Sequence, residues 1–249
     1  MGNLTDRFAV VTGAGKGIGR AIAERFLADN VAGVALLDMD EELVKATAKE
    51  LDPTGTRAIG LKCDVSDQEN VNAAFAQITE QFGRVDILVN NAGITRDAMF
   101  HKMTVDQAKK VMDVHFYGTF YCCQAVIGGM REREYGKIVN ISSTSAFGNI
   151  GQANYAAAKS AIDGFTRTLA LESARKNITV NSIAPGMVNT DILKTIPAHI
   201  MEQKIQATPA QRIAEPAEIA SVASFLACDD SSWVTGNCIL ACGGLRMRG

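Results

Sequence analysis

The chain has 249 residues, of which 47% are hydrophobic and 21% charged, with 22 glycines and only 5 prolines. This composition is typical of a folded protein and excludes disordered, collagenous and coiled-coil chains. The formal net charge is −2, and no basic stripe is present, so a nucleic-acid partner is not expected.

The cysteines do not form a metal-binding pattern. No C-x-x-C pair and no His/Cys cluster with zinc-ligand spacing occurs, so no metal site is predicted. Scattered thiols in a chain that shows no signal peptide predict reduced cysteines and a cytoplasmic location. No apolar run is long enough to span a bilayer, so no membrane insertion is expected.

Short apolar segments alternate with longer amphipathic segments along the whole chain. Strands are predicted at 8–11, 34–37, 58–61, 85–89, 138–141, 178–183 and 238–241, and helices at 18–27, 41–51, 67–82, 104–131, 154–175 and 216–228. Apolar strands separated by helices predict an α/β fold with a doubly wound parallel sheet, the Rossmann fold. No linker divides the chain, so residues 1–249 are predicted to form a single domain.

A glycine-rich turn follows the first strand and leads directly into a helix. Its glycines allow a tight turn and a close approach of a pyrophosphate, while the helix N-terminus attracts the anion. The spacing G-x-x-x-G-x-G differs from the common G-x-G-x-x-G, so by itself it indicates a nucleotide only weakly. The candidate cofactor contacts in this turn are Gly13, Lys16, Gly17, Ile18 and Gly19.

Asp38 ends the second strand and is the residue expected to select the cofactor. Its carboxylate can accept hydrogen bonds from the adenosine ribose and would repel a 2′-phosphate, so NAD is predicted and NADP is less favoured. Alternatively, Asp38 only caps the following helix. Lys16 instead favours NADP, because a basic side chain can bind a 2′-phosphate. The repulsion of that phosphate by the carboxylate of Asp38 is the more direct effect, so NAD stays the prediction.

Further cofactor contacts are predicted after the third, fourth and sixth strands. Asp64 and Val65 are predicted to face the adenine, and the alternative for Asp64 is that it only caps a turn. Small residues after the fourth strand suit the point where a cofactor crosses the sheet, and the chain after the sixth strand is expected beside the nicotinamide. These remaining candidates are Asn91, Ala92, Gly93, Pro185, Gly186, Val188 and Thr190.

Tyr155 and Lys159 lie one turn apart near the start of a predicted helix and therefore share a face. An ordinary tyrosine has a pKa of about 10, and a neighbouring ammonium together with a nicotinamide charge would lower the pKa. Lys159 can also hold the nicotinamide ribose. The pattern Y-x-x-x-K alone is typical of a surface pair, but here it follows a strand that ends in Ser142 and Ser143.

These motifs together resemble the short-chain dehydrogenase/reductase family. The turn at 12–19, the segment 90–93, the Tyr155/Lys159 pair and Pro185-Gly186 occur in the family's order, and the resemblance covers residues 8–244. The segment 148–159 is most similar to 3-oxoacyl-acyl-carrier-protein reductases, and also to hydroxyacyl-CoA dehydrogenase and hydroxysteroid dehydrogenase members. A homotetramer, assembled through the two long central helices and the C-terminal part, is also implied.

The resemblance implies a mechanism as well. Tyr155 exchanges a proton, a serine holds the substrate oxygen, Lys159 tunes Tyr155, and a hydride passes between NAD(H) and a secondary alcohol or ketone. Alignment on the strand selects Ser143 as the catalytic serine, whereas counting back from Tyr155 selects Ser142. Ser143 is our prediction, because loops absorb a deletion more easily than strands do.

Two departures from the family pattern concern particular side chains. His115 occupies the position of a family asparagine that helps to hold a water for proton relay. The histidine either serves in the same way or only fills space. Near the C-terminus Cys242 replaces the aspartate of Val-Asp-Gly-Gly, and we interpret it as a packed thiol.

The segment at about 187–215 is predicted to form a substrate lid. Its apolar residues favour an apolar small molecule such as a hydroxyacyl thioester, a hydroxysteroid or a cyclic alcohol, although they can instead only pack the lid on the body. The alternative hypothesis for the enzyme is an NADPH-dependent 3-oxoacyl-acyl-carrier-protein reductase. A hypothesis of another class is a non-catalytic nucleotide-binding regulator. An acidic carrier would dock on Arg131, Arg133, Arg175 and Lys176.

Overall fold

Seven parallel strands form one sheet in the computed structural model, which describes residues 3–191, 193 and 198–247. The strand order is β3-β2-β1-β4-β5-β6-β7. This order confirms the predicted doubly wound α/β fold, and each strand overlaps the predicted one. The strands are β1 (Phe8–Thr12), β2 (Gly33–Asp38), β3 (Ala58–Lys62), β4 (Ile87–Asn90), β5 (Gly136–Ile141), β6 (Ile178–Pro185) and β7 (Cys238–Ala241).

The α-helices follow the strands in alternation. They are α1 (Gly17–Ala28), α2 (Glu41–Leu51), α3 (Gln68–Phe82), α4 (Val105–Met112), α5 (Gly118–Arg133), α6 (Ala153–Ser173), α7 (Ala198–Gln206) and α8 (Pro216–Ala227). The long helix predicted at 104–131 is interrupted by a π-helical turn, Asp113–Tyr117, between α4 and α5. In the described ranges, none of the helices combines the length and the apolar character that crossing a bilayer requires.

The helices cover both faces of the sheet. Ile22 and Phe26 of α1 share one buried cluster with Ile219 of α8, whereas Phe75 of α3 and Val126 of α5 belong to the cluster on the other face. Because successive strand residues point to opposite faces, the strands from β1 to β6 contribute to both clusters, whereas β7 contributes Ile239 and Ala241 to the first alone. The inner strands β1, β2, β4, β5 and β6 are almost wholly buried, which explains their continuously apolar sequences, while β3 and β7 at the edges are partly exposed.

The order of the strands decides where a ligand can bind. The chain winds outward in opposite directions from β1 and β4, which pair with each other in parallel. At such a switch point the connections after the two strands diverge and leave a crevice beyond their carboxyl ends. The glycine-rich turn after β1, Asp38 at the end of β2 and the segment after β4 all lie at this edge.

The predicted lid is described in part. Val188 forms a parallel bridge with Ala214, and α7 lies between them in the chain. Ile192 and Ile196, two of the apolar side chains that carried the lid prediction, lie outside the described residues. A lid at about 187–215 stays a prediction.

The contact between α1 and the glycine-rich turn generates a stability prediction. A Cβ at Gly19 would overlap the carbonyl oxygen of Gly13 and lie 2.6 Å from Nδ2 of Asn91. We expect Gly19→Ala to lower the free energy of unfolding by about 1–3 kcal/mol in urea titrations. The control is Gly128→Ala in α5, where nothing lies within 4 Å. It should leave the stability unchanged or raise it slightly, and equal losses in both variants would contradict the packing argument.

Candidate active site

Two adjoining cavities lie at the carboxyl edge of the sheet. The larger cavity, of about 740 Å³, extends from Asp38 past the end of β4 to Lys159. The smaller cavity, of about 440 Å³, extends from Ser143 toward Lys204 and Arg246. The residues that line both are Ile18, Thr95, Ile141, Tyr155 and Thr190.

The glycine-rich turn forms one end of the larger cavity. Gly13 and Gly17 both have a φ of 61°, a left-handed conformation that favours glycine. A Cβ at Gly13 would lie 2.8 Å from Cα of Ala92, while one at Gly17 would meet only the methyl group of Thr190, at 3.4 Å. Lys16, the N-cap of α1, makes no side-chain capping bond, so amide groups of the first turn are open to an anion. This cradle fits a dinucleotide pyrophosphate.

Asp38 faces the larger cavity and does not cap α2. Its Oδ2 accepts a hydrogen bond from the amide of Gly15 at 3.0 Å, and its Oδ1 accepts one from the amide of Asp40 at 3.2 Å. Asp40 is the N-cap, because its carboxylate accepts from the amide of Leu43. Lys16 forms an ion pair with Asp191 at 3.4 Å, on the wall of the same cavity.

The segment after β4 is tied to the glycine-rich turn by hydrogen bonds. The side-chain amide of Asn91 donates to the carbonyl oxygens of Thr12 and Gly13, each at 3.0 Å. The hydroxyl of Thr12 accepts from the amides of Asn91 and Ala92. Ala92 and Gly93 line the larger cavity beyond this junction. Asn91 therefore fixes the position of the turn as well as lining the cavity.

Asp64 and Val65 line the larger cavity, but each also has a structural contact. Oδ1 of Asp64 accepts from both the amide and the hydroxyl of Ser66, at 3.0 and 2.7 Å. Asp64 thus has the turn-capping role that the sequence offered as the alternative. Val65 is buried and packs so closely on α5 that a Cβ at Gly118 would lie 2.8 Å from its methyl group.

The candidates after β6 are divided between the two cavities. Pro185, Gly186 and Val188 line only the smaller cavity, whereas Thr190 lines both. Gly19 lines neither, because it faces the turn itself. The structure therefore brings most predicted cofactor contacts to one cavity and leaves Pro185, Gly186, Val188 and Gly19 outside its lining.

Tyr155 and Lys159 lie at the boundary between the cavities. The ammonium of Lys159 donates to the carbonyl oxygen of Ile141 at 2.6 Å and lies 5.5 Å from the centre of the Tyr155 ring. Ser143 is hydrogen-bonded to Tyr155, and its oxygen also accepts from the amide of Ser145 at 3.1 Å. Ser142 is buried and donates to the carbonyl oxygen of Lys159. Both serines line the smaller cavity, and of the two it is Ser143 that is hydrogen-bonded to Tyr155.

Burial shifts the proton affinities of this pair in opposite directions. It raises the pKa of Tyr155, and the charge of Asp97 adds to this effect, while the hydrogen bond from Ser143 opposes it. Burial lowers the pKa of Lys159 to about 7, although the carboxylate of Asp163 favours the ammonium. In the chain by itself Tyr155 is therefore a weaker acid than an ordinary tyrosine, and the lowering of its pKa by Lys159 and a nicotinamide charge stays a prediction.

His115 is buried in the π-helical turn and packs edge-on against Tyr155, with 5.1 Å between the ring centres. Its Nε2 lies 3.0 Å from the amide nitrogen and 2.8 Å from the carbonyl oxygen of Ile94, and the tautomer decides which bond forms. Nδ1 is buried and has no partner in the described part of the chain. A Cβ at Gly93 would overlap the ring. The ring thus joins the segment after β4 to the tyrosine.

Burial and the charge of Lys159 lower the pKa of His115 to about 3. The ring is therefore neutral at neutral pH. A neutral imidazole bonded to the backbone of Ile94 suits a positioning role, and its unpartnered Nδ1 leaves one nitrogen for the water relay that the sequence offered as the other reading.

Sequence reasoning missed several cavity residues. Met39, Ile94 and Thr95 line the larger cavity, directly after Asp38 and Gly93, so their position next to those motifs was an available signal. Asp97 and Gln152 line the smaller cavity and lie a few residues from the same motifs. Lys204 and Arg246 also line it, and they had no local signal. No group of three potential metal ligands occurs among the residues described.

Comparisons with known proteins agree with this geometry. Residues 13–246 match the family model described as enoyl-(acyl carrier protein) reductase. The chain is 39% identical to the BbsD subunit of a hydroxy(phenyl)methylsuccinyl-CoA dehydrogenase of Thauera aromatica, over 98% of each chain. It is 39% identical to the 3-oxoacyl-acyl-carrier-protein reductase FabG of Vibrio cholerae, over 98% and 99%, and 42% identical to an acetoacetyl-CoA reductase of Shinella zoogloeoides, over 96% and 98%.

The Rossmann sheet, the glycine-rich turn and the Tyr155/Lys159 pair at the cavity boundary are the parts of an oxidoreductase that uses NAD(H) or NADP(H). The chain belongs to the short-chain dehydrogenase/reductase family and is an enzyme that acts on CH–OH groups.

The burial of His115 generates a pH prediction. An unfolded chain protonates this histidine below about pH 6.5, whereas the folded chain keeps it neutral down to about pH 3. The unfolded state therefore gains more protons, and the free energy of unfolding decreases as the pH is lowered through this window. Between about pH 6.5 and about pH 5 the wild type should lose about 1–2 kcal/mol more unfolding free energy than His115→Asn. Urea titrations at both pH values measure this difference. Equal pH slopes would mean that the ring takes up its proton without unfolding.

Proposed function

We propose that the chain is an NAD-dependent dehydrogenase that interconverts a secondary alcohol and a ketone, with Tyr155 as the acid/base. The observation that carries this proposal is the convergence of Tyr155, Ser143 and Lys159 at the boundary between a dinucleotide-sized cavity and a second, smaller one. The larger cavity would hold the cofactor, and the smaller one would hold the substrate.

The residues of the larger cavity divide the work of holding a dinucleotide. The amides at the start of α1 would bind the pyrophosphate, Asp38 the adenosine ribose, and Lys159 the nicotinamide ribose. Asp64 and Val65 would lie near the adenine, and Thr190 beside the nicotinamide. When bound, the nicotinamide group supplies or accepts the hydride.

The protein side of the reaction is a proton transfer. In the reducing direction, the hydroxyl of Tyr155 donates its proton to the substrate oxygen as this oxygen gains negative charge. Ser143 accepts from the amide of Ser145, and its hydroxyl hydrogen, which is shared with Tyr155 in the chain by itself, would turn to donate to the same substrate oxygen. The ammonium of Lys159 would stabilise the tyrosinate that remains. In the oxidising direction Tyr155 removes the proton.

The preference for NAD is supported by the charges around the ribose site. The carboxylate of Asp38 faces the larger cavity, where it would repel a 2′-phosphate. The basic residues of the adjoining turn and helix are ion-paired, Lys16 with Asp191 and Arg20 with Glu50, which weakens the argument for NADP.

The substrate class is proposed from the relatives and from the lining. Relatives named as acetoacetyl-CoA reductase and as a CoA-ester dehydrogenase support a hydroxyacyl thioester, with a hydroxysteroid or a cyclic alcohol as alternatives. Met187, Leu193 and Leu245 give the smaller cavity an apolar part.

The second candidate function is an NADPH-dependent 3-oxoacyl-acyl-carrier-protein reductase, which the FabG relative favours. The basic residues that would dock the carrier have other contacts: Arg131 with the carbonyl oxygen of Glu172, Arg133 with that of Val85, and Lys176 with the carboxylate of Glu134. Exposed contacts of this kind are weak, so they reduce but do not abolish the attraction of an acidic carrier.

A homotetramer and a cytoplasmic location complete the proposal. Tyr117 at the end of the π-helical turn, Phe120 of α5 and Leu171 of α6 are exposed apolar side chains that a subunit contact would cover.

Asp38 provides the test of cofactor choice. The wild type should turn over NADH at least about 10-fold more efficiently than NADPH, and Asp38→Ala should lose most of this preference. Steady-state rates at 340 nm with both cofactors measure kcat/KM. Asp40→Ala is the control, because it removes the helix cap outside the cavity and should keep the preference. A strong preference of the wild type for NADPH would favour the carrier-protein reductase.

The catalytic residues are tested on a panel of acyl thioesters, steroids and cyclic alcohols. Tyr155→Phe should lower kcat by about 10²–10⁴-fold, and Ser143→Ala by about 10²–10³-fold. Ser142→Ala, the matched control at the same cavity, should cost less than about 10-fold, because its hydroxyl donates to the backbone carbonyl of Lys159 and not to Tyr155. If wild type and Tyr155→Phe are equally inert on the whole panel, the chain is the non-catalytic regulator. A larger loss for Ser142→Ala would reverse the choice of serine.

A further inference from the structure

The smaller cavity has an uneven charge distribution. Lys204 of α7 and Arg246, which follows β7, both line it, together with Ser143 and Tyr155. Among its described lining residues, Asp97 is the single carboxylate. Lys204 is half-buried and Arg246 is exposed, so both cations lie at the rim of the cavity, where an anionic group of a bound ligand would meet them.

Asp97 does not neutralise these cations. Its Oδ2 accepts a hydrogen bond from the side-chain amide of Gln152 at 2.9 Å. The oxygen of Gln152 in turn accepts from the hydroxyl of Ser145 and the amide of Asn149, at 3.0 and 2.8 Å. The carboxylate is therefore held in a network at the start of α6. Neither Lys204 nor Arg246 has an ion-pair partner in the part of the chain that the structure describes.

The backbone of Arg246 is anchored by the residue that departs from the family pattern. The amide of Arg246 donates to the sulfur of Cys242 at 3.4 Å, and the thiol lies 3.5 Å from the carbonyl oxygen of Arg246. Cys242 is buried against Gly186, where the chain leaves β6. The thiol thus fixes the turn from which the Arg246 side chain reaches the smaller cavity.

We propose that the substrate carries a carboxylate close to its reacting carbonyl or hydroxyl group, and that Lys204 and Arg246 bind this carboxylate. The inference rests on the proposed function and narrows its substrate class. A guanidinium can bind both oxygens of a carboxylate through two parallel hydrogen bonds, and an ammonium adds a compact charge beside it. The apolar side chains Met187, Leu193 and Leu245 would contact the carbon chain between the two groups.

The shared cavity favours a carboxylate over a phosphate. Lys204 and Arg246 line the same space of about 440 Å³ as Ser143 and Tyr155, so an anion bound there shares one small cavity with the reacting carbon. In a CoA or carrier thioester the phosphates lie at the far end of the pantetheine arm, which would extend out of a cavity of this size. Binding of a thioester phosphate is the alternative, and the experiment below tests it with a separate pair of substrates.

The experiment compares pairs of substrates in which one member lacks the anionic group of the other. 4-Oxopentanoate and 5-oxohexanoate are each paired with their neutral methyl esters. Acetoacetyl-CoA is paired with the N-acetylcysteamine thioester of acetoacetate, which lacks phosphate. Turnover is followed at 340 nm, and binding to the protein with NAD is measured by calorimetry, so that affinity is known even for a compound that does not react.

We expect the keto acids to bind and react about 10- to 100-fold better than their esters, as one or two charge-assisted hydrogen bonds provide. Lys204→Met and Arg246→Gln should each remove most of this advantage and leave the esters within about 2-fold. The controls are Lys102→Met and Arg167→Gln, which replace exposed cations outside both cavities. They should change the binding and turnover of neither the keto acids nor their esters.

Three results would overturn the inference. The wild type could bind acids and esters with equal affinity, or the Lys204 and Arg246 variants could lose as much affinity and turnover for the esters as for the acids. The third is that the Lys102 and Arg167 variants lose as much affinity for the acids as the cavity variants do. If instead only acetoacetyl-CoA exceeds its phosphate-free thioester, and the cavity variants abolish that difference, the cations bind phosphate and the carboxylate assignment is wrong. A chain that binds the acids through Lys204 and Arg246 but reduces no ketone would contradict the proposed function and leave the anion site standing.

Discussion

The hydrogen bonds between the end of β4 and the glycine-rich turn are the constraint on which the site depends. The amide of Asn91 holds the carbonyl oxygens of Thr12 and Gly13, and the hydroxyl of Thr12 holds the backbone after β4. These bonds join the two strands at the switch point of the sheet, where the chain segments diverge. The larger cavity exists because this junction keeps both segments at one edge while α1 starts beside it.

Close packing at that edge also sets the chemistry. A Cβ at Gly93 would overlap the ring of His115, so a glycine there lets a neutral, buried imidazole lie edge-on against Tyr155. The same exclusion of water lowers the pKa of Lys159 to about 7 and raises the pKa of Tyr155. Burial therefore shifts the pKa of both groups more than the charge of either shifts that of the other.

Much of the fold followed from local patterns, and the exceptions have physical reasons. Apolar runs predicted all seven strands, because a parallel sheet covered on both faces leaves no polar alternation. The helix predicted at 104–131 contains the π-helical turn at His115. Periodicity misses such a turn, since one wider turn shifts the pattern by a single residue. Asp38 could have capped α2 as far as the sequence shows, and the hydrogen bond from the amide of Leu43 to Asp40 identifies Asp40 as the cap instead.

The sequence by itself determined the fold class, the family and the edge of the sheet where a dinucleotide binds, because motifs next to strand ends are local in the chain. Tertiary structure decided which serine faces Tyr155, since adjacent strand residues point to opposite faces and the loop length misled the count. It also brought Lys204 and Arg246 to one cavity with Ser143. These residues are far apart in the chain, and their meeting depends on how α7 and the end of β7 pack beside β6, which no local pattern encodes.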